Sequence, residues 1–136
     1  MNQLNVYLTF QGNCREAMTY YNECMGGTLT MQTVAESPVA NQCPEGVQDQ
    51  LLHSTLSFGN FSIMASDMIG PAGYRSGNNV SLCIDCSSED EINKLYNSLS
   101  AGGQILDALK VQFWGALFGE FYDKFGIRWM LNCEKK

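Results

Sequence analysis

Basic residues are scarce in this chain. Eight Lys and Arg are scattered along 136 residues, which is not the clustered positive footprint that a nucleic acid selects. Charge of either sign is thin, at 16% of residues, and the net charge of −6 serves solubility rather than the choice of a partner. No apolar run approaches the roughly 18 residues that a membrane helix needs. The opening "MNQLNVYLTF" has no basic segment before an apolar stretch, so no secretory signal is read there. These absences predict a cytoplasmic protein with neither nucleic acid nor membrane as partner. With 45% hydrophobic residues the chain is globular, and its length suits one domain or two small halves.

Histidine is rarer still, and His53 is the sole imidazole. Six cysteines are present, of which only Cys83 and Cys86 have the C-x-x-C spacing, with no second pair to complete a zinc site. Two readings stay open for them: a redox pair where a strand meets a helix, or thiols packed in a reduced interior.

What the sequence does have is an echo. "NVYLTF" at 5–10 returns as "NVSLCI" at 79–84, and each is followed by a helix-like segment ending in Gly-Gly. Asn13 with Glu16, and Ser88 with Glu91, have capping-box spacing. Ala17, Tyr20, Tyr21 and Cys24 fall at helical spacing in the first segment, and Ile92, Leu95, Tyr96 and Leu99 in the second. Gly26-Gly27 and Gly102-Gly103 suit a left-handed stop. Three strand-like segments follow each helix: 28–35, 51–58 and 61–67, then 104–112, 116–122 and 127–133. The turns are Gly59-Asn60 and "DKFG" at 123–126, and 37–50 is a loop. The expected fold is therefore α+β: two βαβββ modules, 1–69 and 78–136, joined by a linker at 70–77.

In the first strand, Val6, Leu8 and Phe10 alternate with Asn5, Tyr7 and Thr9; in its echo, Val80, Leu82 and Ile84 alternate with Asn79, Ser81 and Cys83. Strand side chains alternate faces, so the apolar set should carry the helix. The six other positions hold no Lys, Arg, Asp or Glu. That pattern fits a semi-enclosed surface for a small molecule.

The segments "YLTFQGNCREAMTYY" (7–21), "HSTLSFGNFSIMASD" (53–67) and "FWGALFGEFYDKFGIRWML" (113–131), with Cys43-Pro44, resemble the vicinal oxygen chelate superfamily. This is the glyoxalase and bleomycin-resistance fold, and the similarity is to its PhnB-like branch, over nearly the whole chain. The resemblance implies paired βαβββ modules forming a curved mixed sheet around a cleft, and a homodimer. In metal-dependent members four strands each supply one ligand, typically His or Glu. The match puts those places at Asn5, Met64, Asn79 and Met130. Amides and thioethers do not suit a hard divalent ion, so no metal and no cofactor is expected.

The polar candidates follow from strand alternation and from the resemblance. His53, with Thr55 on its face, should meet the same surface as Asn5 and Tyr7, either as a general base or as a hydrogen-bonding residue. Ser81 shares the corresponding face in the second module. Asp67 is a strand-end residue or lies at the cavity mouth, and Asp123 starts the final turn. Arg75, in the linker, either clamps an anionic ligand or is solvated. Trp114, in the branch's Phe-Trp-Gly motif, is placed over the pocket entrance.

The leading expectation is a metal-free small-molecule-binding protein, since bleomycin-resistance-type relatives sequester a ligand without catalysis. The alternative is an enzyme: a metal-dependent lyase, isomerase or dioxygenase of the superfamily, or chemistry by His53 without metal. The branch's methyltransferase label finds no glycine-rich strand-to-helix loop to hold the methyl donor.

Overall fold

A computed structural model describes residues 3–134. The chain divides into two compact units with the boundary between Tyr74 and Arg75, inside the predicted linker. The first unit contains β1 (Val6–Thr9), α1 (Cys14–Met25), β2 (Thr28–Thr33), β3 (Leu51–Phe58) and β4 (Phe61–Ser66), with two short 3-10 turns between β2 and β3. The second contains β5 (Leu82–Asp85), α2 (Glu89–Leu99), β6 (Gln104–Val111), β7 (Ala116–Tyr122) and β8 (Arg128–Glu134). Each forms an open four-stranded mixed sheet, in the orders β1-β4-β3-β2 and β5-β8-β7-β6. β1 and β4 run parallel, as do β5 and β8; the other neighbours are antiparallel. The predicted βαβββ modules are both present, with identical topology.

The echo in the sequence is two residues out of step with this repeat. Tyr7 pairs with Met64, and the matching pair in the second unit is Cys83 with Met130. Likewise the Phe10 amide donates to Ser66 O at 2.9 Å, and the Cys86 amide to Asn132 O at 2.7 Å. The first strands are therefore related by 76 residues, not 74. Ser81, rather than Asn79, is the counterpart of Asn5. A shift of two preserves strand parity, so the predicted faces survive while the matched positions change. Val80, expected beneath the helix, lies outside β5 and is 70% exposed.

Each helix packs on one face of its own sheet. Under α1, Cys14, Ala17, Met18 and Tyr21 meet a layer that includes Phe10, Leu56, Ile63 and Ala65. The stripe thus includes Cys14 and Met18, while Tyr20 and Cys24 are only half-buried. Under α2, Ile92, Leu95 and Leu99 cover Phe121, Trp129 and Leu131. The sulfur of Cys14, 3.5 Å from the Ser54 hydroxyl, and the edge-on contact of Tyr96 with Phe121 mark the two helix-bearing faces.

The two helix starts are capped differently. At α2, Ser88 Oγ accepts from the Glu91 amide at 3.1 Å, and Glu91 reaches back to the Ser87 amide at 3.0 Å. At α1 the predicted box is absent, because the Asn13 side chain makes no cap bond. Asp67 replaces it from the end of β4. One carboxylate oxygen accepts from the Gly12 and Cys14 amides at 3.0 and 2.9 Å, and the other from the Leu51 amide at 3.0 Å. A negative charge at a helix N-terminus is stabilising, and here it also ties β3 to the helix.

Both modules also leave their helix through a glycine that no other residue can replace without movement. A Cβ on Gly27 would lie 2.6 Å from Ser57 O, and one on Gly103 would overlap Tyr122 O. The chain passes so close to the strand that only a bare backbone fits.

Candidate functional site

In the first unit the face opposite α1 is built by one row across all four strands: Tyr7, Met64, Thr55 and Thr30 stand in register. His53 lies one step along β3 on the same face. Its Nε2 is 3.1 Å from Thr55 Oγ1 and its Nδ1 is 3.4 Å from the Tyr7 hydroxyl. The Tyr7 and His53 rings are 5.9 Å apart and tilted by 40°. Both ring nitrogens thus meet hydroxyls, which can donate or accept, so either neutral tautomer is satisfied. Tyr7 is 52% exposed, while His53, Thr55 and Met64 are half-buried. None of the strand residues on this face is Asp, Glu, Lys or Arg. Asn5 is exposed just before β1. Asp67, a candidate for the cavity mouth, is instead 4% exposed and fully occupied as the α1 clamp.

The second unit diverges in chemistry. Its corresponding row is Cys83, Met130, Glu120 and Asp107. Sequence reading stopped at the uncharged residues of the first strand and missed the rest of the face. Glu120 Oε2 accepts from Arg128 Nε at 3.0 Å, and Arg128 Nη2 is ion-paired with the same oxygen at 2.9 Å. Arg128 Nη1 donates to Asn78 O at 2.7 Å. The alternation in "GEFYDKFGIRW" could have placed Glu120 and Arg128 on one face, but no spacing rule pairs residues across a turn of unknown register. Asp123 fulfils its predicted turn role: one oxygen accepts from the Phe125 and Ile127 amides, and the other from Trp129 Nε1 at 2.8 Å.

Trp114 lies in the β6–β7 turn, 52% exposed, with its ring edge-on to Phe113 at 4.9 Å and to Phe118 at 5.7 Å. Phe118 shares the face of Glu120. Ser81 immediately precedes β5 and is half-buried; Asn79 and Arg75 are exposed, outside any strand. A recess of about 710 Å³ lies beside Gly102, Gly103 and Gly126, and Asp123 alone of the candidate residues lines it. The structure therefore gathers Tyr7, His53, Thr55 and Met64 on one sheet face, and Met130 on the equivalent face of the other unit.

The donors that the resemblance assigns to a metal do not fit a hard divalent ion. They are amide oxygens and thioether sulfurs, and the one imidazole is already bonded to two hydroxyls. Among the described residues no three His, Cys, Asp or Glu are grouped to hold an ion. The C-x-x-C pair is equally unlike a redox site. Cys83 is exposed and Cys86 buried, and both thiols are raised rather than lowered. A reactive thiol needs the opposite shift.

The family described as 3-demethylubiquinone-9 3-methyltransferase matches residues 2–132. The chain belongs to this PhnB-like family. It is similar to the protein YjdN of Escherichia coli K12, at 33% identity over 98% of this chain and 96% of that protein. It is similar also to the solved structure of PA1353 from Pseudomonas aeruginosa, with 39% identity, a TM-score of 0.88 and 100% of both chains covered. A putative 3-demethylubiquinone-9 3-methyltransferase, PhnB protein, from Bacillus cereus shares the fold alone. It is 22% identical at a TM-score of 0.74, covering 97% of this chain and 99% of its own. Solved structures titled as glyoxalase-related or glyoxalase/bleomycin resistance/dioxygenase family proteins share the fold too. These likenesses show the glyoxalase/bleomycin-resistance fold that the resemblance implied.

Proposed function

We propose that this PhnB-like protein binds a small, uncharged organic molecule against the first unit's sheet face. The observation that carries the reading is the bonded chain Tyr7–His53–Thr55, set beside Met64 on a face free of carboxylates and cations. Hydroxyl and imidazole groups offer both donors and acceptors, Tyr7 offers an exposed ring, and Met64 adapts to an apolar outline. Such a surface suits a carbonyl- or hydroxyl-bearing molecule with a flat apolar portion. It offers no charge for an ionic ligand and no ligand set for a hard metal.

Methyl transfer, named in the family's description, has no support in the local geometry. The connection after β1 holds one glycine, Gly12, and that after β5 holds none. A methyl donor with a nucleoside portion is normally cradled by a glycine-rich turn at that place.

Isothermal titration of the wild type with hits from a neutral metabolite and antibiotic library tests the reading. Tyr7→Phe and Thr55→Val should each weaken binding about 3- to 10-fold, the worth of one hydrogen bond, with stability little changed. Hits whose affinity ignores both substitutions would overturn it. His53→Gln separates binding from catalysis: binding retained with turnover abolished would assign His53 to acid–base chemistry.

A further inference from the structure

The Glu120–Arg128 pair is made through one carboxylate oxygen. Arg128 donates one hydrogen bond, from Nε, to the carboxylate oxygen Oε2, and its Nη2 lies 2.9 Å from the same atom. A fork-to-fork arrangement would engage both oxygens. Here Oε1 accepts no bond from the described residues. Arg128 is itself braced by Asn78 O, and Glu120 is only 14% exposed, so the carboxylate is held in place with one acceptor left over.

Its surroundings share a single character. Directly across the sheet stand Met130 on one side and Asp107 on the other. Phe118 lies two residues along β7 on the same face, with Trp114 against it at 5.7 Å. The strand residues of this face include four carboxylates, Asp85, Asp107, Glu120 and Glu134, against two cations, Lys110 and Arg128. Lys110 offsets little, since it is 65% exposed and 3.9 Å from Asp107. An anion would meet this acidic surplus with Arg128 already engaged. For a hard divalent ion, no three His, Cys, Asp or Glu are grouped among the described residues.

We propose that this face recognises a protonated organic amine, with Glu120 Oε1 accepting its N–H and the Phe118 and Trp114 rings receiving its apolar substituent. Aromatic faces attract organic cations, and a fixed carboxylate gives the N–H a direction. The inference concerns the second unit by itself and does not depend on the reading of Tyr7, His53 and Thr55.

The test compares benzylamine, protonated at neutral pH, with benzyl alcohol, a neutral molecule of similar shape. The two are compared on the full chain by tryptophan fluorescence, and isothermal titration follows the amine alone in any variant that lacks Trp114. Trp129 is buried and bonded to Asp123, so a fluorescence change reports Trp114. The amine should bind about tenfold more tightly than the alcohol. In Glu120→Gln the two affinities should converge. Equal affinities in the wild type, no binding of either probe, or a preference that survives Glu120→Gln would each overturn the proposal. If Glu120→Gln fails to fold, Trp114→Leu, at an exposed turn, takes its place. It should weaken amine binding several-fold, and unchanged affinity there counts against the site.

Discussion

Cys86 closes β5 at 7% exposure, and its thiol is pushed up to about 12, by burial first and then by Glu91, Cys133, Asp85 and Cys83. Cys14, beneath α1, is raised to about 11, again mainly by burial. Unfolded thiols ionise near 9. Above that pH the unfolded chain releases protons that the folded chain retains, so stability present below pH 9 is lost as pH rises toward 11 and 12. Denaturant midpoints measured from pH 8 to pH 11 should therefore fall more steeply in the wild type than in Cys86→Ala. Parallel slopes would remove Cys86 from the account. At this scale the sequence was informative where parity sufficed: alternation with the resemblance placed His53, Thr55 and Tyr7 on one face, and they are in contact. It was silent where a partner lies across a turn, as with Glu120 and Arg128.

Elements were legible in their type and order, because glycine stops and period-2 runs are local signals. The start of α1 was not. Asn13 has the right chemistry for a cap, yet the work passes to Asp67, more than fifty residues later, which reaches the helix only because β4 runs parallel beside β1. Parallel pairing is a tertiary fact that no local pattern encodes. Removing this carboxylate strands three amide donors, two of them in buried bonds. Asp67→Ala should cost about 3 kcal/mol or more, lowering the melting temperature by roughly 10 °C. Asn13→Ala should change it little. A mild Asp67→Ala effect, or a larger one at Asn13, would return the cap to Asn13.

Across the whole molecule, duplication preserved architecture while the exposed sheet faces diverged. Both units keep the same strand order, the tight glycine after the helix and a methionine at the centre of the row, Met64 or Met130. One face became neutral and hydroxyl-rich, the other ionic. The six-residue echo revealed the duplication but misjudged its step by two. A short match cannot tell a shift of two from none when both keep the side-chain alternation.

The most direct test of the neutral face as a ligand surface is methyl NMR of the methionines during titration with the uncharged library. Met64 lies on that face, whereas Met18 is buried under α1. Binding compounds should move the Met64 ε-methyl resonance in proportion to occupancy and leave Met18 almost unmoved. A library that binds without shifting Met64, or shifts Met18 instead, contradicts the assignment of the face.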